Sequence, residues 1–280
     1  MDYGFVDCHC HISALEFQQF LVPGSVCVLL VVTGPNVERS ARSEDFRSQP
    51  SLFSSAGSSG CDPQNQVGVK TLVAVTEEVE EFSRVLRLQE RYPDLVAPCL
   101  GLHPLQAAGG QRSVRPQIGL DFTPWCAPTQ QDRDDQMKVF IRQLDVAMEM
   151  DLPVNVHSRS AAKVTIDTMR RRGISRALLH NFSGKPAAAM EAVEAGFFFS
   201  FPPAVCRNQQ RDRLIQRIPL DHICLETDAP ALGLHRNERN EPANITLSCS
   251  YIAKVKGQTP ETVREVTTQN AYRLFSRASR

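Results

Sequence analysis

Eight short runs of apolar and β-branched residues, separated by amphipathic segments, constrain the fold of this 280-residue chain more than any other feature. Such alternation is typical of parallel βα units, and eight units are the number that closes a TIM-type barrel. We therefore predict an α/β fold with a single (β/α)8 barrel spanning 1–280. The predicted strands are Gly4–His9, Lys70–Val75, Leu95–Leu102, Gln117–Phe122, Leu152–His157, Arg176–His180, Gly196–Phe201 and Asp221–Asp228.

Amphipathic stretches follow most of these runs and predict the helices of the barrel. An open, doubly wound sheet is the alternative arrangement of the same units, but no GxGxxG or Walker loop follows any strand, which disfavours its nucleotide-binding form. The predicted helices are Glu77–Arg91, Gln131–Met150, Ala161–Arg172, Pro186–Ala195, Val205–Arg217, Thr246–Lys256 and Thr259–Arg277.

Two connections break the alternation. The span from Leu21 to Gln66 is rich in Ser, Gly, Pro and Asn, and lacks helical periodicity. Irregular stretches of this length are uncommon inside a compact domain, so we predict a disordered insert after strand 1. Only thirteen residues separate His103 from Gln117, which predicts a shortened connection between strands 3 and 4.

The amino-acid composition limits which partners the protein can bind and indicates where in the cell it is located. Lys+Arg and Asp+Glu both number 31, which excludes a strongly basic coat for long nucleic acid. The nine cysteines form no CxxC pair, and we interpret them as reduced thiols of an intracellular protein, cytoplasmic or nuclear. The N-terminus has no secretory pattern, so we expect a protein that is not secreted; the longest apolar run is too short to span a membrane.

The strongest chemical signal is the sequence Asp7-Cys8-His9-Cys10-His11. Alternate residues of a strand share a face, so Asp7, His9 and His11 point the same way. Two imidazoles at the end of a strand can bind a divalent metal, and a neighbouring carboxylate can orient a ligating ring.

Other polar residues stand at the ends of other predicted strands. His103, His157 and His180 each end a run, and Glu226 and Asp228 end the last one. Barrel active sites are assembled at the C-terminal ends of several strands, so these side chains are expected to converge.

Seven motifs in order give the chain a family resemblance: VDCHCH, GLHP, IGLDF, LPVNVHSR, LLHNFSG, CLETDAP and RNEPAN. With them it resembles the TatD family of metal-dependent deoxyribonucleases, which are amidohydrolase-like barrels, over 1–20 and about 67–275. The resemblance implies two divalent metal ions (Mg²⁺, Mn²⁺ or Zn²⁺) and hydrolysis of phosphodiester bonds in DNA ends, from the 3′ end. The implied metal ligands are His9, His11, His157, His180 and Asp228.

The chemistry of these residues agrees with that implication. Asp228 can act as a general base towards a water molecule, and paired cations can neutralise charge that develops on phosphate. Arg159 and Arg239 can bind phosphate through their planar guanidinium groups, and His103 is a further candidate for substrate binding. We expect the partner to be a DNA end or a small phosphodiester.

One position departs from the family motif. Where the family has a glutamate that bridges two metals, this chain has Gln117, which is neutral and presents a donor amide as well as an acceptor oxygen. We therefore expect a second metal site that is weak and activity that is impaired. Asp121, on the same side of the strand, could lend a carboxylate instead, although it lies further along.

Two rival functions stay open at this stage. One is an amidohydrolase acting on C–N bonds, which uses a similar HxH barrel; many such enzymes carry a lysine on a middle strand, whereas the Gln117–Phe122 run has none. The other is a barrel with little catalysis and a binding role, because Gln117 cannot bridge two cations.

Overall fold

Seven parallel strands form the frame of the protein in a computed structural model that describes residues 4–12, 67–76, 79–101 and 118–276. Nearly continuous runs of apolar residues favour strands whose two faces are both covered, and nearly every strand residue is buried. The strands are β1 (Phe5–Cys10), β2 (Val69–Val75), β3 (Val96–Cys99), β4 (Val154–Val156), β5 (Ala177–Leu179), β6 (Phe198–Phe201) and β7 (Ile223–Leu225).

The strands pair in two parallel groups, β1-β2-β3 and β4-β5-β6-β7. The segment after Gly101 that was predicted as strand 4 pairs with the start of the second group through one bridge, between Gly119 and His157. Gly119 has a φ of +135°, and a Cβ atom there would lie 2.0 Å from the carbonyl oxygen of His157. Only glycine permits this close approach, which adds an eighth element between the two sheets.

Backbone hydrogen bonds join the last strand to the first. The amide of Asp228 donates to the carbonyl of His9 at 2.9 Å, and the amide of His11 donates to the carbonyl of Ala229 at 2.8 Å. The last strand therefore closes on the first, and the C-terminal ends of the parallel strands share one edge. All eight predicted runs contain a strand or, in the case of Gln117–Phe122, an isolated bridge.

Helices cover the outside of the strands. The longest begins at a capping box, in which Thr129 and Asp132 exchange side-chain and backbone hydrogen bonds. The helices are α1 (Val79–Arg91), α2 (Gln130–Glu149), α3 (Ala162–Arg171), α4 (Pro186–Glu194), α5 (Asp212–Arg217), α6 (Ile245–Lys256) and α7 (Pro260–Leu274).

The continuous helix predicted over Val205–Arg217 is wrong. The chain forms two 3₁₀ turns, Pro203–Arg207 and Gln209–Arg211, before the short helix α5. Asn208 separates the turns in a non-helical conformation (φ −132°, ψ 78°), and its side chain accepts a hydrogen bond from the amide of Gln210. Asparagine commonly interrupts helices in this way, because its short side chain forms hydrogen bonds with nearby backbone groups that compete with the backbone hydrogen bonds of a helix.

The core fills the space between helices and strands. Large aromatic side chains on and beside β5 and β6 are fully buried, among them Phe182, Phe197, Phe199 and Phe201. The seven cysteines within the described ranges are free thiols. The predicted insert over 21–66 and the whole of the predicted short connection between His103 and Gln117 lie outside the described residues.

Candidate metal centre

Two neighbouring sets of side chains meet at the C-terminal edge of the strands. The first set, here called the first group, consists of His9, His11 and Asp228, and all three residues are buried. The Nε2 atoms of His9 and His11 lie 3.7 and 3.3 Å from Oδ1 of Asp228. One donor atom from each of the three residues falls within 4.8 Å of the others, which is close enough to share a cation.

The second group consists of His157, His180 and Asp121. Nδ1 of His157 lies 3.0 Å from Nε2 of His180, and Nε2 of His157 lies 3.2 Å from Oδ2 of Asp121. The two groups are in direct contact, because the rings of His9 and His180 stack with centroids 3.7 Å apart and planes 7° apart. The five metal ligands implied by the family resemblance are therefore all brought together.

Backbone geometry positions Asp228 in the first group. This residue has a left-handed φ of 56°, a conformation that costs roughly 1 kcal/mol and that aspartate tolerates better than most residues. The amide of Asp228 donates a hydrogen bond to the carbonyl of His9 on the first strand, and the carbonyl of Asp228 accepts a hydrogen bond from the amide of Ala231 at 3.0 Å. The turn thus directs the carboxylate towards both histidines of the first strand.

The imidazole rings of His9 and His157 each have an inward nitrogen, which faces the space between the two groups, and an outward nitrogen, which faces away from it. A hydrogen-bond acceptor lies next to each of the two outward nitrogens. Nδ1 of His9 lies 3.0 Å from Oδ1 of Asn155, whose amide nitrogen donates to the carbonyl of Cys8 at 2.7 Å. That bond fixes the amide so that its oxygen faces His9, and Nδ1 of His9 must then carry the proton. In the same way the carboxylate of Asp121 requires a proton on Nε2 of His157. Each ring is left with its lone pair on the inward nitrogen, as in histidine–metal sites.

The electrostatics suit a cation. Burial, reinforced by the neighbouring imidazoles, holds the pKa of His9 well below its usual value, and burial lowers the pKa of His180 to about 3 against the opposing charge of Asp228. Burial would raise the pKa of Asp228, but the hydrogen bond with His11 and the nearby imidazoles lower it. Neutral imidazoles beside an ionised carboxylate are the protonation states that a divalent metal requires.

Asp121 is a second ionised carboxylate. Burial raises its pKa, but hydrogen bonds with His157 and Thr123 outweigh this effect and bring the pKa to about 2. The backbone of Asp121 is hydrogen-bonded to a side chain of helix α2. The amide of Asp121 donates to Oε1 of Gln136, and the carbonyl of Asp121 accepts from Nε2 of Gln136, both at 2.9 Å. These two bonds fix the position of Asp121 beside His157.

Glu226 lies behind His180 and is fully buried. Its carboxylate accepts hydrogen bonds from the amide of Asn181 at 2.9 Å and from Oγ of Ser200 at 2.6 Å, and Oε2 lies 3.6 Å from Nδ1 of His180. Burial and the charge of Asp228 raise the pKa of Glu226 to about 8. His9, His180 and Glu226 are close enough to form another candidate set of ligands, although the bonds from Asn181 and Ser200 already occupy this carboxylate.

Sequence reasoning missed two residues that support the groups. Asn155 lies two residues before His157 on the same strand face, so strand parity could have identified it. Arg211 donates to Oδ1 of Asn181 at 2.8 Å from the region wrongly predicted as helix, and no sequence signal pointed to it.

Asp7, which strand parity already places on the face of His9 and His11, contacts the last strand. Its carboxylate accepts hydrogen bonds from the amide of Thr227 at 2.9 Å and from the Thr227 hydroxyl at 2.6 Å, and so joins the first strand to the last.

The predicted substrate residues have different outcomes. The guanidinium carbon of Arg159 lies 5.0 Å from the ring centroid of Trp125, and Arg159 is exposed two residues after His157. Arg239 forms an ion pair with Glu241 at 4.0 Å, on a loop that Asn240 fastens to the carbonyl of Thr227. His103 and Gln117 lie outside the described residues.

Across the parts of the chain that the structure describes, no helix combines the length and apolar character needed to cross a membrane.

Comparisons with known proteins agree on one group of relatives. The family model described as TatD related DNase matches residues 6–276. A Danio rerio relative that carries the name tatdn3 is 51% identical, covering 99% of both chains. The human protein named deoxyribonuclease TATDN3 is 40% identical, covering 97% of this chain and 94% of its own. YabD of Bacillus subtilis, named an uncharacterized metal-dependent hydrolase, is 28% identical over 74% of this chain and 88% of its own.

Solved structures confirm the predicted barrel class. The crystal structure of YjjV, a TatD homologue from Escherichia coli, superposes with a TM-score of 0.71, covers 99% of both chains and is 22% identical. A TatD family hydrolase from Entamoeba histolytica gives the same TM-score at 12% identity, covering 98% of this chain and 99% of its own. At these identities the likeness supports the fold alone.

Proposed function

We propose, because this chain belongs to the TatD family of metal-dependent deoxyribonucleases, that it hydrolyses phosphodiester bonds at DNA ends and removes nucleotides from the 3′ end. The chain is a metal-dependent hydrolase by family. The observation that carries the proposal is the convergence of the two groups, in which four imidazoles and two carboxylates surround one edge of the barrel.

The donor set fits two divalent cations, Mg²⁺, Mn²⁺ or Zn²⁺. His9, His11 and Asp228 would hold one through Nε2, Nε2 and a carboxylate oxygen, and His157 and His180 would hold the other through the nitrogens that face each other. Such a pair of cations would polarise the phosphate and lower the pKa of the attacking water.

The chain's own residues would perform the remaining steps. Asp228 accepts the proton of the attacking water at its carboxylate, which is anionic because His11 and the other imidazoles lower its pKa. Arg159 and Arg239 bind phosphate oxygens of the substrate with their guanidinium groups. Asn155 and Asp121 keep the rings of His9 and His157 in the tautomers that leave the inward nitrogens free to bind.

Gln117 is proposed to limit the second group. It supplies no negative charge at the position where the family motif has glutamate. Asp121 is the described carboxylate nearest to His157, but it faces the outward nitrogen of that ring at 3.2 Å. It therefore acts as the partner that orients the ring and does not replace the missing bridge. We expect one tight metal, one weak metal and a reduced rate.

The test uses purified full-length protein loaded with Mg²⁺, Mn²⁺ or Zn²⁺ and single-stranded DNA labelled at the 5′ or the 3′ end. With the 5′ label, we expect stepwise shortening of the labelled strand; with the 3′ label, we expect immediate release of the labelled nucleotide. His11→Ala should abolish both signals, whereas His235→Ala, at an exposed histidine, should leave them unchanged.

Other outcomes identify the rival functions. Turnover of a panel of cyclic amides with no DNA hydrolysis would show an amidohydrolase. Metal-loaded protein that binds DNA but turns over neither substrate would show a barrel with a binding role. Release of nucleotides from the 5′ end would contradict the proposed direction while keeping the nuclease.

A further inference from the structure

The single tryptophan of this chain, Trp125, is exposed to solvent beside the second group. Its residue exposure is 64%, the larger of the two values for exposed large hydrophobic residues in the described ranges. The ring is carried by the turn that follows the bridge at Gly119, so it lies at the same edge of the barrel as the histidines. An exposed indole at this place is unrelated to packing, because it contributes little buried area to the core.

A short network fixes the turn to the metal centre. Oδ1 of Asp121 accepts hydrogen bonds from the amide of Thr123 at 2.9 Å and from its hydroxyl at 2.5 Å. The carbonyl of Thr123 in turn accepts from the amides of Cys126 and Ala127, both at 2.9 Å. Since Oδ2 of the same Asp121 contacts His157, one carboxylate connects the turn that carries Trp125 with a proposed metal ligand.

The positively charged side chain of Arg159 lies over the indole ring of Trp125. The guanidinium carbon of Arg159 lies 5.0 Å from the ring centroid of Trp125, within the range of a cation–π interaction. The backbone carbonyl of Arg159 accepts from the amide of Phe122 at 3.0 Å, which holds the two segments side by side. The positive charge and the aromatic face are therefore presented together, next to the site of hydrolysis.

We propose that Trp125 and Arg159 form a stacking platform for an unpaired nucleobase of a DNA end. This inference rests on the proposed function and names its substrate class: a single-stranded or frayed end. Trp125 stacks on the base, and Arg159 neutralises the adjoining phosphate. Proteins that bind single strands combine aromatic faces with positive charge in this way, because every base has a π-face that is available only when it is unstacked.

Fluorescence provides a test that does not depend on hydrolysis. Because the chain contains one tryptophan, all indole emission comes from Trp125. We expect an oligomer of eight thymidines, (dT)8, to quench this emission on binding. A matched oligomer with the same phosphates but tetrahydrofuran units in place of every base should bind about 10-fold more weakly, a modest stacking contribution, and should quench little.

Variants then assign the effect to the platform. Trp125→Ala should bind (dT)8 about 10-fold more weakly, measured by anisotropy of a labelled oligomer, and should no longer distinguish it from the base-free oligomer. Trp125→Phe should recover most of the affinity. The matched control is Met148→Ala, which removes the other exposed large hydrophobic residue, at the C-terminal end of α2 and hence at the opposite end of the barrel. It should change affinity less than twofold.

The outcomes separate the inference from the proposed function. If the wild-type protein shortens DNA but Trp125→Ala binds and cleaves (dT)8 equally well, the platform is wrong and the nuclease stands. Equal affinity of the wild type for (dT)8 and the base-free oligomer would likewise overturn the platform. If (dT)8 quenches Trp125 and Trp125→Ala loses affinity while no DNA is hydrolysed, the platform stands and the proposed activity fails.

Discussion

His9 and His11 are almost fully buried, with 1% and 5% of their side-chain surfaces accessible, whereas 21% of the His157 side chain is accessible in the second group. The position of the carboxylate differs as well. Asp228 faces the inward nitrogens of the first group, but Asp121 faces the outward nitrogen of His157. The first group thus has a carboxylate, Asp228, that faces its inward nitrogens. In the second group the nearest described carboxylate, Asp121, faces away from the inward nitrogens.

The difference shows how a metal centre depends on which atom a carboxylate faces. A carboxylate on the inward side is a ligand and balances the charge of a cation. A carboxylate on the outward side fixes the tautomer of a ring and raises its basicity, but supplies no ligand. We therefore expect the first group to bind metal more tightly than the second.

The largest effect should come from the anion of the first group. Asp228→Asn keeps the shape but removes the negative charge and the proposed base, and we expect DNA hydrolysis to fall about 1,000-fold, within the range for loss of a general base. The tight metal should be lost in elemental analysis of the purified protein. Asp134→Asn, at an exposed aspartate of α2, is the control and should be neutral. Activity above one tenth of wild type would contradict the role of Asp228.

The next largest effect should come from adding a negative charge to the second group, which we expect to increase metal binding and the rate of DNA hydrolysis. Gln117→Glu adds the charge that the family motif has at this position. Loss of a residue that only orients a metal ligand costs about 10- to 100-fold, so we expect restoration of a direct ligand to raise the rate by at least about 10-fold, with a second metal bound per chain. Metal content and DNA hydrolysis are to be measured on the same preparation. Gln258→Glu adds the same charge at an exposed site and should change neither. If Gln117→Glu restores neither metal nor activity, Gln117 is not the limiting difference between the groups.

The smallest effect concerns the outward carboxylate. Asp121→Asn replaces the charged partner of His157 by a neutral one, and we expect about 10-fold weaker binding of the second metal with little change in the first. Competition with a chelator, followed for each metal separately, measures the two affinities. Equal weakening of both sites would show that Asp121 acts on the whole barrel edge, and loss of the first metal alone would reverse the assignment of the groups.

Most of the barrel and of the ligand set could be predicted from residues close together in the sequence. The run from Asp7 to His11 has strand periodicity, and that period alone puts His9 and His11 on one face. His157 and His180 follow β4 and β5 directly, and parallel strands bring such positions to one edge whatever the details of packing. The family motifs then completed the set with Asp228.

Contacts across the barrel could not be predicted in the same way. Strand parity can place Asn155 on the face of the site, but the ring that it fixes, His9, is 146 residues away. Arg211 bonds to Asn181, 30 residues away, from a segment that forms 3₁₀ turns and not the predicted continuous helix. Each depends on where two distant segments come to lie, which no local pattern encodes.

The sequence by itself determined the fold class, the strands and the residues that bear the chemistry, because these follow from hydrophobic periodicity and strand parity. Only the tertiary structure decided which nitrogen of each ring is inward, which carboxylate faces it, and that Trp125 lies beside Arg159. These features depend on side-chain geometry to within a few tenths of an ångström, and that geometry is set when the last strand closes on the first and the bridge at Gly119 brings its turn against β4.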